Sequence, residues 1–287
     1  MAFFRSVNTT LEMIKWEHSI FALPFALTGA MLAANGWPRP VQLVWIVLCM
    51  VTARSAAMAF NRWADASLDA ANPRTASRAI PAGKLSSRFV AGFTVVSSVL
   101  FLLSAAQLNR LTLWLSPFVL SLLLFYSYTK RITHYSHFIL GLALGLAPTL
   151  AWIAVRGSLD SRILVLTAAV LLWVGGFDLL YACQDESHDR RVGLKNLAAS
   201  IGVAGAFRLA RILHVSTLLL LFWTLHLFAL GLPADLGLTV VSVLLLYEHV
   251  IISPTDLRRL NAAFFVVNGL ISVIFYLGVA VDLSFRG

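Results

Sequence analysis

Two short stretches of this chain carry side chains suited to holding a metal ion. One runs from Asn61 through Asp65 to Asp69, the other from Asp178 through Asp185 to Asp189. The polar residues recur at i, i+4 and i+8, or nearly so, and on a helix that spacing stacks them along one face. Stacked carboxylates repel one another unless a cation sits among them. Carboxylate and amide oxygens are hard ligands, which suit Mg2+ rather than zinc or copper. Magnesium keeps several waters and completes its shell with substrate phosphate, so the pattern predicts a diphosphate bridging the two clusters. The chain has 13 acidic residues. Six of them, counting Glu186, lie in these two segments, a concentration that solvated surface acids do not explain.

Basic residues trail each motif: Arg74, Arg78 and Lys84 after the first, Arg190, Arg191 and Lys195 after the second. Guanidinium and ammonium groups are natural partners for phosphate oxygens, although cytoplasmic loops of membrane proteins collect the same residues. Arg54 precedes Asn61 by two helical turns and shares its face. A charge inside an apolar run is costly and marks a functional candidate. It is assigned here to an acceptor's carboxylate or to the diphosphate.

The elements that must position these residues are membrane helices. Hydrophobic residues make up 59% of the chain and charged residues 12%, with mean hydropathy +0.84. A soluble domain carries roughly 25% charged residues. Nine apolar runs lie near 18–36, 42–60, 88–108, 111–129, 135–156, 162–183, 206–230, 236–253 and 262–282. The expected fold is therefore all-α and polytopic, with about nine transmembrane helices. The first run, after Lys15, is read as a spanning helix and not as a cleaved signal. Trp16, Trp37 and Trp45 suit the interfacial aromatic belt. Cys49 and Cys183 show neither a disulfide framework nor zinc spacing.

Two stretches, 61–87 and 184–205, are too polar to span. With the N-terminus inside, 16 of the 22 Lys and Arg residues fall on the cytoplasmic side. Five fall outside (Arg39, Arg110, Arg156, Arg162, Arg286), and Arg54 lies within a helix. This asymmetry puts the N-terminus and both acidic loops in the cytoplasm. It also accounts for the net charge of +9 without nucleic acid. Asp65 and Asp69 recur as Asp185 and Asp189 at one offset, which predicts an internal four-helix repeat. Its halves cover about 15–130 and 131–253, with a ninth helix at 262–282, in a single domain spanning 1–287.

The motifs resemble those of the UbiA-type membrane prenyltransferases. Asn61-x3-Asp65-x3-Asp69 followed by Asn72-Pro-Arg74 and Arg78-Ala-Ile-Pro81 is similar to the family's first signature. Asp178-x2-Tyr181-x3-Asp185-x3-Asp189, followed by Gly193-Leu-Lys195, is similar to the second. His18-Ser-x-Phe21, Tyr126-x3-Lys130-Arg131 and Gly141-x3-Gly145-x2-Pro148 are also family-like. Ala79 departs from the proline many relatives have there, and Ala182-Cys-Gln is found in a sub-branch whose acceptor is less firmly assigned than that of the ubiquinone enzymes.

The resemblance implies helices around a central cavity capped by the acidic loops, in a bacterial inner membrane. It implies transfer of a polyprenyl group from its diphosphate to an aromatic acid, 4-hydroxybenzoate in quinone biosynthesis. A dihydroxynaphthoate of a menaquinone route is the alternative acceptor, and a membrane transporter the alternative class. The metal set it implies is Asn61, Asp65, Asp69, Asp178, Asp185 and Asp189, with Asp65, Asp185 and Asp189 catalytic. Arg78, Lys130 and Lys195 would bind the diphosphate; Arg54, Tyr126 and Tyr181 would meet the acceptor. Membrane lipid is the surrounding partner.

Overall fold

The computed structural model of the chain describes residues 2–15 and 19–285. Trp16, His18 and Arg286, used above, lie outside these residues. The described residues form helices α1 (Ala2–Ile14), α2 (Ser19–Ala34), α3 (Pro40–Ala64), α4 (Ala66–Ala71), α5 (Ser87–Ala106) and α6 (Arg110–Ile132). They continue with α7 (Ser136–Arg156), α8 (Ile163–Ala182), α9 (Glu186–Val192), α10 (Leu197–Leu227) and α11 (Leu232–Ile251). A short α12 (Leu260–Ala262) and a π-helical turn (Ala263–Val267) lead into α13 (Asn268–Ser284). The described residues contain one isolated β-bridge, Ser253 to Asp256, and no sheet.

Eight of the helical segments among the described residues are long and apolar enough to cross a bilayer. The protein is thus an all-α polytopic membrane protein. The first apolar run forms the shorter α2, of 16 residues. Outward-facing apolar side chains such as Trp114, Phe118 and Phe125 on α6 are what a lipid solvent calls for.

The chain divides into two compact units, residues 1–19 with 44–128 and residues 20–43 with 129–287. In the first, α1 lays Met13 and Ile14 against Ala59 of α3, Leu85, and Val90 of α5. Ser86 caps α5, its hydroxyl accepting from Phe89 N–H at 3.2 Å. In the second unit, α7 and α10 both pack on α8. Gly141 and Gly145 make the α7 approach possible, because a Cβ at either would strike the backbone of α8 near Thr167 and Leu171.

Phe25, Trp173, Phe177 and Phe275 fill the middle of this unit. A buried polar network crosses it. Trp173 Nε1 donates to Asn268 Oδ1 at 2.8 Å, and Asn268 Nδ2 donates to Glu248 Oε1 at 2.9 Å. His214 and His249 share a hydrogen bond of 2.9 Å. Glu248, an acid inside an apolar run, thus has its polar pairing within the helix bundle.

The two polar stretches are not simple loops. Helix α3 runs on past residue 60 and carries Asn61 and Arg62 in its last turn. The backbone bonds continue, with Asp65 N–H on Asn61 O at 3.0 Å and Asp69 N–H on Asp65 O at 2.8 Å. Likewise α10 begins at Leu197, not near 206, and bends at Gly202 (φ 73°, ψ 160°). Hydropathy marks where lipid ends, whereas a helix continues as long as its carbonyls find N–H partners.

Candidate functional site

Both acidic motifs are built on the same backbone plan. A long helix ends before the central acid, directly at Asp65 in the first motif and through a 3-10 turn (Cys183–Asp185) in the second; the central acid departs from α-helical dihedrals, and a short helix then carries the last acid. Asp65 sits at φ −96°, ψ 5° before α4, and Asp185 at φ −98°, ψ 1° before α9. This sparsely populated region between α and β recurs at functional sites. Each short helix is then turned away, the second by Gly193 in the left-handed region (φ 74°).

In the first motif, Asn61 Nδ2 donates to Asp65 Oδ2 at 3.1 Å, pinning the central carboxylate to the end of α3. Asp69 is buried, and Arg78 Nη1 donates to its Oδ1 at 2.6 Å. Thr75 Oγ1 donates to Asp69 O at 3.0 Å, tying the following turn back to the motif. The second oxygen, Asp69 Oδ2, is buried with no hydrogen-bond partner. Such an orphan costs about 1–3 kcal/mol unless something satisfies it. Arg62 is 9% exposed. It donates to Asn61 Oδ1 at 3.4 Å and lies in the field of Asp65 and Asp69.

In the second motif, Asp189 is buried and accepts from Asn196 Nδ2 at 2.8 Å, while Asn196 Oδ1 caps α10 through Ala198 N–H at 2.9 Å. Asp178 Oδ2 accepts from Nδ1 of buried His137 at 2.6 Å. Glu186 pairs with Arg190 at 2.5 Å one helical turn on. Lys195 meets the end of α6: its N–H donates to Lys130 O at 2.9 Å, and its Nζ to Ile132 O at 2.7 Å. The ammonium therefore caps a helix terminus, the Lys195 N–H ties down the Lys130 backbone, and the Lys130 charge acts on Asp189.

Arg54 reaches back toward the end of α1, with Nη2 at 3.5 Å from Lys15 O. Tyr126 stands on α6, half-buried. Tyr181 packs on Phe264 with ring centroids 4.2 Å apart, in a cluster with Phe21, Phe177 and Phe265. The π-helical turn places Phe264 and Phe265 on consecutive positions against that cluster, and such turns recur at functional sites.

Sequence reasoning missed His137, Asn196, Arg62 and the phenylalanine pair. Arg62 lay inside the first motif, and a charge at the end of an apolar run was its signal. His137 and Asn196 left none, because their partners are 41 and 7 residues away and belong to other elements.

The donor set fits a hard divalent cation. It consists of carboxylate and amide oxygens, includes one buried oxygen without a partner, and holds no thiol. Among the described residues no group of three His, Cys, Asp or Glu side chains converges as a closed cage. Mg2+ binds in that open manner, taking one or two carboxylates and completing its shell with water and phosphate.

Residues 22–270 match the model of the UbiA prenyltransferase family. A 4-hydroxybenzoate octaprenyltransferase of Serratia proteamaculans is 30% identical over 253 residues, 88% of this chain and 86% of that one. The apo structure of a UbiA homolog from Aeropyrum pernix K1 is 31% identical and superimposes with a TM-score of 0.85, covering 93% of this chain and 98% of the other. A UbiA homolog from Archaeoglobus fulgidus, solved bound to DMAPP and Mg2+, shares the fold at 16% identity. Its TM-score is 0.66 over 93% of this chain and 99% of that one.

Proposed function

This chain belongs to the UbiA prenyltransferase family and is an enzyme of the prenyl-transferring type, and we propose that it prenylates the ring of an aromatic acid, 4-hydroxybenzoate in the first instance. The donor is a polyprenyl diphosphate, the setting a bacterial inner membrane, and the pathway quinone biosynthesis. Both acidic turns are cytoplasmic in this reading, at matched places in a four-helix repeat of a nine-helix bundle.

The observation that carries the proposal is the pair of acidic turns with one backbone plan, one of them holding a buried carboxylate oxygen without a partner. Asn61, Asp65 and Asp69, with Asp178, Asp185 and Asp189, are the residues that would hold Mg2+. Bound there, Mg2+ would neutralise charge building on the departing diphosphate. Arg78 and Lys130 add fixed positive charge, and Lys195 keeps Lys130 in position. The allylic C–O bond breaks with its electron pair leaving on the diphosphate. A C–C bond then forms at the ring carbon ortho to the phenol oxygen, and the ring loses one proton. Arg54, Tyr126 and Tyr181 are assigned to the acceptor, and the aromatic cluster around Tyr181 offers flat apolar surface for a ring or an isoprenoid unit.

The named relatives support 4-hydroxybenzoate as acceptor. Mass spectrometry of products formed from a polyprenyl diphosphate tests this, with membranes supplied with 4-hydroxybenzoate or with a dihydroxynaphthoate. Prenylated hydroxybenzoate is the expected product. Prenylation of the naphthoate alone would move the acceptor, and no prenylated product from any aromatic acid would overturn the activity.

A further inference from the structure

A cleft of about 620 Å³ opens at the end of α11, away from both acidic turns in sequence. Its walls are of two kinds. Tyr247, Val250 and Ile251 form an apolar side on the last two turns of a membrane-spanning helix, and Val250 is 72% exposed. Asp256, Arg258 and Arg259 form a polar side on the tight turn that follows, closed by the Ser253–Asp256 bridge. We propose that this cleft binds the phosphodiester headgroup of an acidic glycerophospholipid.

The charge count favours that ligand. Arg258 grips Asp256 through Nε on Oδ1 at 2.9 Å and Nη2 on Oδ2 at 2.7 Å. These bonds, with Arg258 N–H on the same carboxylate at 3.0 Å, hold Asp256 well below the usual carboxylate range. Asp256 and Arg258 therefore cancel, and Arg259 leaves the cleft with one net positive charge. One phosphodiester carries one negative charge. Guanidinium groups suit phosphate oxygens geometrically.

The apolar wall separates a lipid from a soluble anion. Tyr247 and Val250 face outward from a helix of 20 residues whose surroundings are hydrocarbon. A ligand seated against them is continuous with the bilayer, with its head at the arginines. Basic residues at the ends of spanning helices recognise anionic headgroups in this way. A prenyl diphosphate is also an anionic amphiphile, but its two or more negative charges exceed what the cleft balances.

Native mass spectrometry of the purified full-length protein tests the proposal, with phosphatidylglycerol and phosphatidylcholine added to the detergent. Wild type should retain phosphatidylglycerol about tenfold better than phosphatidylcholine. R258Q/R259Q should retain the two equally, and R258K/R259K should recover most of the preference. R259Q alone keeps the Asp256–Arg258 pair and its turn, so it tests the site should the double variant fold poorly; its preference should fall several-fold. Equal retention of both lipids by wild type, or an undiminished preference in R259Q, would overturn the proposal. So would displacement of phosphatidylglycerol by equimolar geranyl diphosphate or by inorganic phosphate, which would assign the cleft to those anions instead.

Discussion

The two acidic turns share a backbone plan and differ in what braces their acids. In the first, the brace is a permanent cation: Arg78 holds Asp69, with Arg62 buried close by. In the second, the brace is a neutral amide or an imidazole: Asn196 holds Asp189 and His137 holds Asp178. The Arg78 guanidinium offsets the charge of Asp69 directly. An amide orients a carboxylate without cancelling it. Asn196 thus leaves the charge of Asp189 in place, with Lys130 acting on it only through its field. The two turns thus carry two kinds of brace, a guanidinium in one and an amide with an imidazole in the other.

The largest effects test whether both turns are needed at all. Asp65→Ala and Asp185→Ala are each expected to lower prenyl transfer by at least about a hundredfold, in protein that still folds in detergent. Retained turnover in either would sink the metal assignment. EDTA should stop wild-type transfer and added Mg2+ should restore it. Mn2+ titration followed by electron paramagnetic resonance should show weaker binding in Asp185→Ala than in Asp65→Ala. The reverse order would mean that the first turn holds the metal more tightly than the second.

Next come the braces. His137→Ala should raise the Mg2+ concentration for half-maximal activity by about 10- to 100-fold, as loss of a supporting partner commonly does. His137→Asn, able to donate a hydrogen bond, should recover part of it. An unchanged Mg2+ dependence in His137→Ala would mean that Asp178 is not a metal ligand. Arg78→Ala strips a charged partner from buried Asp69 and should cost about 1.5–3 kcal/mol of stability, read by denaturant unfolding in detergent. Arg78→Lys should restore stability more fully than diphosphate affinity, because an ammonium lacks the planar fork. The smallest effect is expected at Arg54. Arg54→Ala should raise the KM of one substrate several-fold, and unchanged kinetics for both would remove it from the site.

Much of the fold was legible in the sequence because lipid imposes long apolar runs. Those runs located eight spans and the shorter α2, though hydropathy missed that α3 and α10 extend into the polar stretches. The acid pattern was legible because Asp65 and Asp69 lie one helical turn apart, and local spacing survives into the fold. His137, by contrast, sits on α7 and its partner on α8, two helices brought together by the bare backbones of Gly141 and Gly145. Nothing near His137 in the chain announces Asp178.

The same division holds for charge. The spacing of acids and the excess of Lys and Arg were readable from the sequence alone, and they determined a membrane protein with two acidic turns. Tertiary structure alone decided which cation belongs to which acid. Lys195, which reads as a diphosphate ligand, spends a hydrogen bond on the end of α6. Arg78 closes on Asp69, and Asn196 serves both a helix cap and Asp189. A side chain's type and local spacing are properties of the sequence. Its partner is a matter of distance in space, and that distance exists only once the helices have packed.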